Sequence, residues 1–296
     1  MGRDLIEIFG NNPRNTSKEV RKLWNLGACP FILKPCTKHN HDQSIIYGTC
    51  SVTSSYGDIV ICPNRLYANN YESIKNVATD AFGLDLKFFF YDEFIKNKTD
   101  KIDCVVALGT NSGKEVKVGR SLSMDWVLAK ISNNILTEYI GIEVQSIDIT
   151  GNYRDSWHGY KNIKAENEKI PDSEHGLNWA TVHKRLIPQI IRKGVIYSQS
   201  KYCKKGLYFI LPDIVYKKFE EVVGNDLSNV SVPNNETLTV FTYSLGEKSL
   251  KKVRHLNLER RICFSLDEFA NRFIAGPNLP KSGELDSIIK KILGVK

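Results

Sequence analysis

The sequence predicts an α/β protein of the α+β kind: one mixed central sheet flanked by helices, with a metal-binding module at its N-terminal end. Three observations carry this. Strand-like runs at Leu84 to Tyr91, Ile102 to Leu108, Gly206 to Leu211 and Leu238 to Leu245 alternate with helical patterns at Asn64 to Gly83, His175 to Lys193 and Asp213 to Val223. Four of the seven cysteines fall between Cys29 and Cys62. Ser123 to Ile149 reads as a hairpin, two apolar runs on either side of Ser132-Asn133-Asn134.

Each element has a local reason. Residues 1 to 27 are expected to be helical, with Thr16 and Glu19 as a capping box and Gly27 as the stop. In Asn64 to Gly83, Ile74, Val77, Ala78, Ala81 and Phe82 recur at helical spacing. The run Phe88 to Tyr91 is read as core rather than as a platform for bases. Thr110 to Gly113 is a turn, and Lys114 to Val118 a short strand carrying Glu115. Gly151 to Pro171 is polar and irregular, mixing Arg154, Lys161, Lys164 and Lys169 with Tyr153, Trp157, His158 and Tyr160. Pro188 should kink the helix of His175 to Lys193, whose basic side is Lys184, Arg185, Arg192 and Lys193. Pro212 opens the next helix, and Ser265 with Glu268 caps another. Lys248 to Arg261 is a second basic stretch, and Leu285 to Leu293 an amphipathic terminal helix.

The chain has 296 residues, room for one large domain or two smaller ones. The only shift in composition is the cysteine-rich segment. We therefore divide the chain into 1–70, an N-terminal helix and four-cysteine module, and 71–296, the α/β core with C-terminal recognition elements. A net charge of +8 points to a polyanionic partner, nucleic acid before an anionic membrane surface; a merely basic soluble surface is the alternative. No run is long and apolar enough to span a bilayer and no export pattern opens the chain, so a soluble, cytoplasmic protein with no membrane partner is expected. An odd number of cysteines without an export signal argues for metal ligation or buried thiols rather than disulfides.

The spacing C-x6-C-x13-C-x11-C, punctuated by Pro30, Pro35 and Pro63, suggests that turns aim Cys29, Cys36, Cys50 and Cys62 at one point. Four thiolates leave no open position, so the expected site is structural, and zinc and iron both fit it. His39 and His41 are possible substitutes for one cysteine.

In the hairpin, Glu143 and Gln145 share one strand face, opposite Ile140, Ile142 and Val144. Asp125 and Glu143 are equidistant from Asn134, which makes them cross-strand neighbours roughly 5 Å apart. Two carboxylates so placed repel unless a cation lies between them, and Mg²⁺ suits the oxygen ligands. Acidic residues on a solvated strand face are the plain alternative. Glu115, one strand upstream, offers a third carboxylate.

The D…ExQ hairpin resembles the PD-(D/E)xK nuclease core, whose commoner form ends in lysine. With ACPFILKPC, GTCSV, DIVICPNRLY, GKEVKVGRSLSMDWVLAKI and EYIGIEVQSIDITGNYRDSWHG, about residues 5 to 220 resemble Type II restriction endonucleases of the NotI/EagI type. The resemblance implies a Mg²⁺-dependent active site at Asp125, Glu143 and Gln145, with Glu115 as a further member. It also implies a structural iron on Cys29, Cys36, Cys50 and Cys62. The expected activity is hydrolysis of double-stranded DNA at a palindromic, GC-rich site, leaving 5′-phosphate and 3′-hydroxyl ends. A homodimer and a matching DNA methyltransferase in the same host are the expected partners. Arg154, Trp157, His158, Lys161, Lys184 and Arg185 are the candidates for DNA contact. Gln145 departs from the pattern, because a neutral amide can orient water but supplies no positive charge. Two other readings compete: a non-catalytic nucleic-acid-binding protein with a four-cysteine metal site, and a repair or modification-dependent nuclease on the same core.

Overall fold

The computed structural model describes residues 3–97, 103–118, 122–165, 167–277 and 279–295. The chain enters as strand β1 (Leu5–Ile8), where a helix was expected. The misleading residue is Glu7, which is buried because it forms an ion pair with Arg65. Helix α1 (Lys18–Leu26) is capped by Ser17, which accepts from the Val20 N–H at 3.4 Å, rather than by Thr16. Gly27 closes it in the left-handed region at φ 61°. Two short strands, β2 (Ala28–Cys29) and β3 (Lys34–Pro35), make a ribbon. Strands β4 (Thr49–Ser54) and β5 (Gly57–Val60) join β1 in a three-stranded antiparallel sheet.

A 3₁₀ turn, Pro63–Tyr67, leads into α2 (Ala68–Phe82), which buries Ile74, Val77, Ala78 and Ala81 as expected. Its first turn is broken by left-handed Asn69, Asn70 and Tyr71. Next come β6 (Lys87–Phe90), α3 (Tyr91–Asn97) and β7 (Cys104–Gly109). The expected start of that last strand, Ile102, lies outside the described residues. Phe88, Phe89 and Phe90 are half-buried rather than solvent-facing. Strands β8 (Val116–Val118) and β9 (Leu122–Met124) pair, and the chain turns into the hairpin of β10 (Trp126–Ser132) and β11 (Ile135–Val144). Asn133 and Asn134, at φ 49° and 63°, form its two-residue turn.

Strand β12 (Ile149–Thr150) leads to α4 (Arg154–Asn162), so the segment read as irregular holds a helix. Strand β13 (Gly176–Leu177) occupies the expected helix start. A π turn, Val182–Leu186, then precedes α5 (Ile187–Ser198). In that turn the Ile187 N–H donates to Val182 O, five residues back. The wide turn lies just ahead of Pro188, whose ring and missing N–H disfavour a regular helix there. Strand β14 (Leu207–Pro212), α6 (Asp213–Val223) and β15 (Thr237–Leu245) follow as expected. The second half of the basic stretch is an edge strand, β16 (Leu256–Ser265), with Arg260 and Arg261 paired to Asp213 and Asp80. Ser265 caps α7 (Leu266–Ala275), and α8 (Glu284–Leu293) closes the described chain with none of its residues buried.

Seven strands make the central sheet, in the order β16-β15-β14-β11-β10-β7-β6. β11, β14 and β15 run parallel, as do β6 and β7; the other pairs are antiparallel. One face packs on α2 through Leu128, Ile140, Ile142, Tyr208 and Ile210. The other packs on α5, α6 and α7 through Val127, Leu207, Phe209, Leu238 and Val240. Leu5, Ile8 and Val52 belong to this second core, so the N-terminal segment shares the hydrophobic interior of the large sheet. Among the described residues no helix is long and apolar enough to cross a membrane.

Candidate active site

The hairpin register is set by its turn and one bulge. Ser132 pairs with Ile135 at the turn, the register shifts between Lys130 and Ile131, and Trp126 pairs with Ile142 at the far end. One step further brings Asp125 opposite Glu143. The carboxylate of Asp125 accepts from the Val144 N–H at 2.9 Å, and its own N–H faces Glu143 Oε1 at 3.5 Å. Gln145 extends the same face, with Nε2 3.5 Å from Asp125 Oδ2. Its backbone N–H donates to Ile210 O at 3.0 Å, which ties the end of β11 to β14.

Glu143 is only 2% exposed. Burial, then the neighbouring Asp125 charge, push its carboxyl up to about 8. Lys193 opposes this shift: from α5 its ammonium donates to Glu143 Oε2. The sequence marks Lys193 only as one of four cations on a helix side, and a buried partner fifty positions away leaves no signal in local spacing. Tyr197, one turn on, is buried with its hydroxyl unpartnered, and its phenol is raised by burial and then by Glu143.

A cleft of about 480 Å³ opens over Asp125 and Gln145. Lys34, Pro35, Thr37 and Asn64 line one side of it, so the cysteine-bearing loops form a wall of this cleft. Lys34 Nζ crosses to Thr110 O at 2.9 Å and Asn111 Oδ1 at 3.2 Å. Tyr67 and Trp126 form the floor, joined by an indole-to-phenol hydrogen bond of 3.1 Å.

Glu115 stands one step beyond the Val116–Met124 pair, which puts it opposite Asp125 along the ladder. Its carboxylate turns elsewhere, accepting from Ser123 Oγ at 2.6 Å and pairing with Lys117 at 3.0 Å. The Ser123 hydrogen bond holds it below the usual glutamate range.

Of the candidates for DNA contact, Arg154, Lys161, Lys184 and Arg185 are exposed and His158 half-exposed. Trp157 is buried, stacked on Trp24 at 5.7 Å, with its indole N–H on Tyr47 O; its ring serves packing rather than a base. Arg185 lies 3.7 Å from Asp148, just past the end of β11. Because Tyr197 lies against Gly141 and Lys193 against Glu143, α5 runs antiparallel to β11. Its N-terminal end, and the π turn before it with Lys184 and Arg185, therefore lie toward the strand end that Gln145 follows.

Cys29, Cys50 and Cys62 are buried, Cys36 is half-buried, and all four are free thiols. Burial raises each of them, Cys62 to about 11. The sulfurs of Cys36, Cys29 and Cys62 face backbone N–H groups, as thiolate ligands do: Lys38 on Cys36 at 3.4 Å, Phe31 and Ile32 on Cys29, Asn64 on Cys62; the Cys50 thiol instead donates to Gly48 O at 3.3 Å. The donor chemistry suits a thiolate-bound metal. As they stand, however, no three His, Cys, Asp or Glu side chains among the described residues are placed to hold one ion together. His39 and His41 are both exposed.

No protein-family model matches the chain, and no curated protein matches it.

Proposed function

We propose that this protein is a Mg²⁺-dependent, site-specific endonuclease with a PD-(D/E)xK core, acting on double-stranded DNA as Type II restriction enzymes of the NotI/EagI type do. The observation that carries the reading is the carboxylate pair, Asp125 and Glu143, held side by side at the end of the central hairpin and followed by Gln145. The excess of basic residues over the whole chain supports a polyanionic substrate.

Asp125 and Glu143 are the residues that would hold the divalent ion. Two hard carboxylates match Mg²⁺, which takes one or two from a protein and leaves its other positions to water and phosphate. When bound, such an ion neutralises the carboxylates and makes water more acidic. The Gln145 amide, both donor and acceptor, orients the attacking water. In-line attack by that water forms the O–P bond and breaks the P–O3′ bond; the water gives up a proton to solvent and the departing 3′ oxygen takes one from solvent, which leaves 5′-phosphate and 3′-hydroxyl ends. Lys184 and Arg185, exposed on the π turn ahead of α5, would meet the phosphate backbone. In the N-terminal module we propose Cys29, Cys36, Cys50 and Cys62 as the residues that would hold iron, or alternatively zinc, as a structural cross-link behind the cleft wall.

A palindromic site calls for a two-fold dimer. Helix α8 supports one: Leu285, Ile288, Ile289, Ile292 and Leu293 form an exposed apolar stripe. Glu284 and Asp286 lie at one end of that helix and Lys290 and Lys291 at the other. Antiparallel pairing with a second copy sets acid against base at both ends.

Digestion of unmethylated phage DNA with Mg²⁺, beside an EDTA control, tests the proposal. Discrete bands that need Mg²⁺ are expected. Intact DNA that is nonetheless bound would favour the non-catalytic reading, and cutting confined to methylated DNA the modification-dependent one.

A further inference from the structure

We propose that Lys193 is a positioning residue that supplies, from α5, the positive charge that Gln145 cannot supply from β11; this rests on the nuclease reading above. Three observations meet here. Lys193 is only 8% exposed, and its ammonium bonds Glu143 Oε2. Lysine is rarely buried to this degree unless it is paired, because desolvating an ammonium is costly. Second, the helix is set in place to make this contact. Tyr139, Gly141 and Glu143 alternate along one face of β11, with Gln145 next in that alternation just past its end, and Lys193 and Tyr197 are a turn apart on α5. A Cβ at Gly141 would overlap the Tyr197 ring, so the bare glycine lets the helix approach and keeps the ammonium level with Glu143. Third, Gln145 places a neutral amide beside Asp125.

The charges show what the lysine does. With both carboxylates ionised, the state that holds a divalent ion, Asp125 and Glu143 with Lys193 leave a single net negative charge. A divalent ion and a phosphodiester together bring the site to neutrality. Without the lysine the same assembly carries an uncompensated negative charge before any more develops on the phosphoryl group. Lys193 transfers no proton. It holds Glu143 in position and offsets charge as the O–P bond forms and the P–O3′ bond breaks.

The test moves the lysine from helix to strand. The full-length protein is compared with Lys193→Met and with Lys193→Met/Gln145→Lys. In plasmid cleavage, Lys193→Met is expected to lose about 100-fold in kcat with KM for DNA within about threefold, and the double variant to recover about tenfold or more. Melting of the metal-free protein needs no cleavage. Lys193→Met should melt about 10 °C lower, with much of the loss restored in the double variant, because a merely structural lysine could not be replaced from another element. Wild-type cleavage by Lys193→Met, or no recovery in either measurement on adding Gln145→Lys, would overturn the proposal. Unfolding of both variants, seen by circular dichroism, would assign Lys193 to packing and overturn it too. A wild-type protein that cuts nothing would sink the nuclease reading, and the melting comparison would still decide the lysine exchange.

Discussion

The carboxylate of Asp125 accepts a hydrogen bond from the backbone N–H of Val144 at 2.9 Å, so the residue before one strand is fastened to the end of its hairpin partner. This bond keeps Asp125 beside Glu143, whose carboxyl is raised first by burial and then by the Asp125 charge. Asparagine can accept the same bond without the charge. Asp125→Asn should therefore abolish plasmid cleavage while raising the metal-free melting temperature, by about 2–4 °C for roughly 1 kcal/mol of relieved repulsion. Asp125→Ala also loses the acceptor for Val144 and should melt below Asp125→Asn. Calorimetry in EDTA beside a nicking assay checks both; cleavage by Asp125→Asn at the wild-type rate would remove Asp125 from the site.

Gly141 is the position where α5 comes closest to the sheet. Gly141→Ala should push Tyr197 and the helix outward, costing about 1–3 kcal/mol as overpacking does. The same shift should separate Lys193 from Glu143 and slow cleavage. Urea unfolding and single-turnover cleavage of one preparation should show both losses together.

Helix α8 leaves its apolar stripe without cover from the described residues of its own chain. Ile288→Glu/Ile292→Glu should turn a dimer into a monomer in sedimentation velocity, with an unchanged circular dichroism spectrum. Dimers that persist in this variant would place the two-fold contact elsewhere.

His175 provides a pH-dependent contribution to stability. It is buried, with Nδ1 on Ser173 Oγ at 2.6 Å and Nε2 on Thr53 O at 2.9 Å, and burial lowers its imidazole below the ordinary value of 6.5. The unfolded chain takes up the proton first. The neutral histidine therefore stabilises the fold above pH 6.5, and this contribution is lost as pH falls through the lower folded value. His175→Gln should flatten that acid limb in melting curves taken between about pH 5 and 7.

The four thiols predict metal content. Purified protein should carry about one iron or zinc per chain by elemental analysis, and Cys50→Ser or Cys62→Ser should lose most of it. Lys34, between Cys29 and Cys36, bridges to Thr110 across the cleft. Metal loss should therefore weaken DNA binding measured in Ca²⁺, where metal-free and loaded protein can be compared without cleavage.

Much of the fold follows from local pattern. The hairpin and its Asn133-Asn134 turn can be read from apolar runs and turn residues, whereas the Asp125–Glu143 register also needs the bulge between Lys130 and Ile131, without which the two-residue turn would set Asp125 opposite Ile142. Helix α6, the Ser265 cap and the buried face of α2 were legible for the same reason. Two of the strands that the pattern does not show, β1 and β16, carry charges inside paired environments. Glu7 in β1 meets Arg65, while Arg260 and Arg261 in β16 meet Asp213 and Asp80, so a charge that looks solvated is partly or wholly enclosed.

By itself, then, the sequence determined the pair of carboxylates, the glutamine beside them and the strand face they share. Tertiary structure alone decided that Lys193 reaches Glu143, that Trp157 packs against Trp24, and that Glu115 turns to Ser123 and Lys117. The physical reason is that local periodicity tells which way a side chain points, whereas the partner of a buried charge is chosen by the packing of elements distant in the chain.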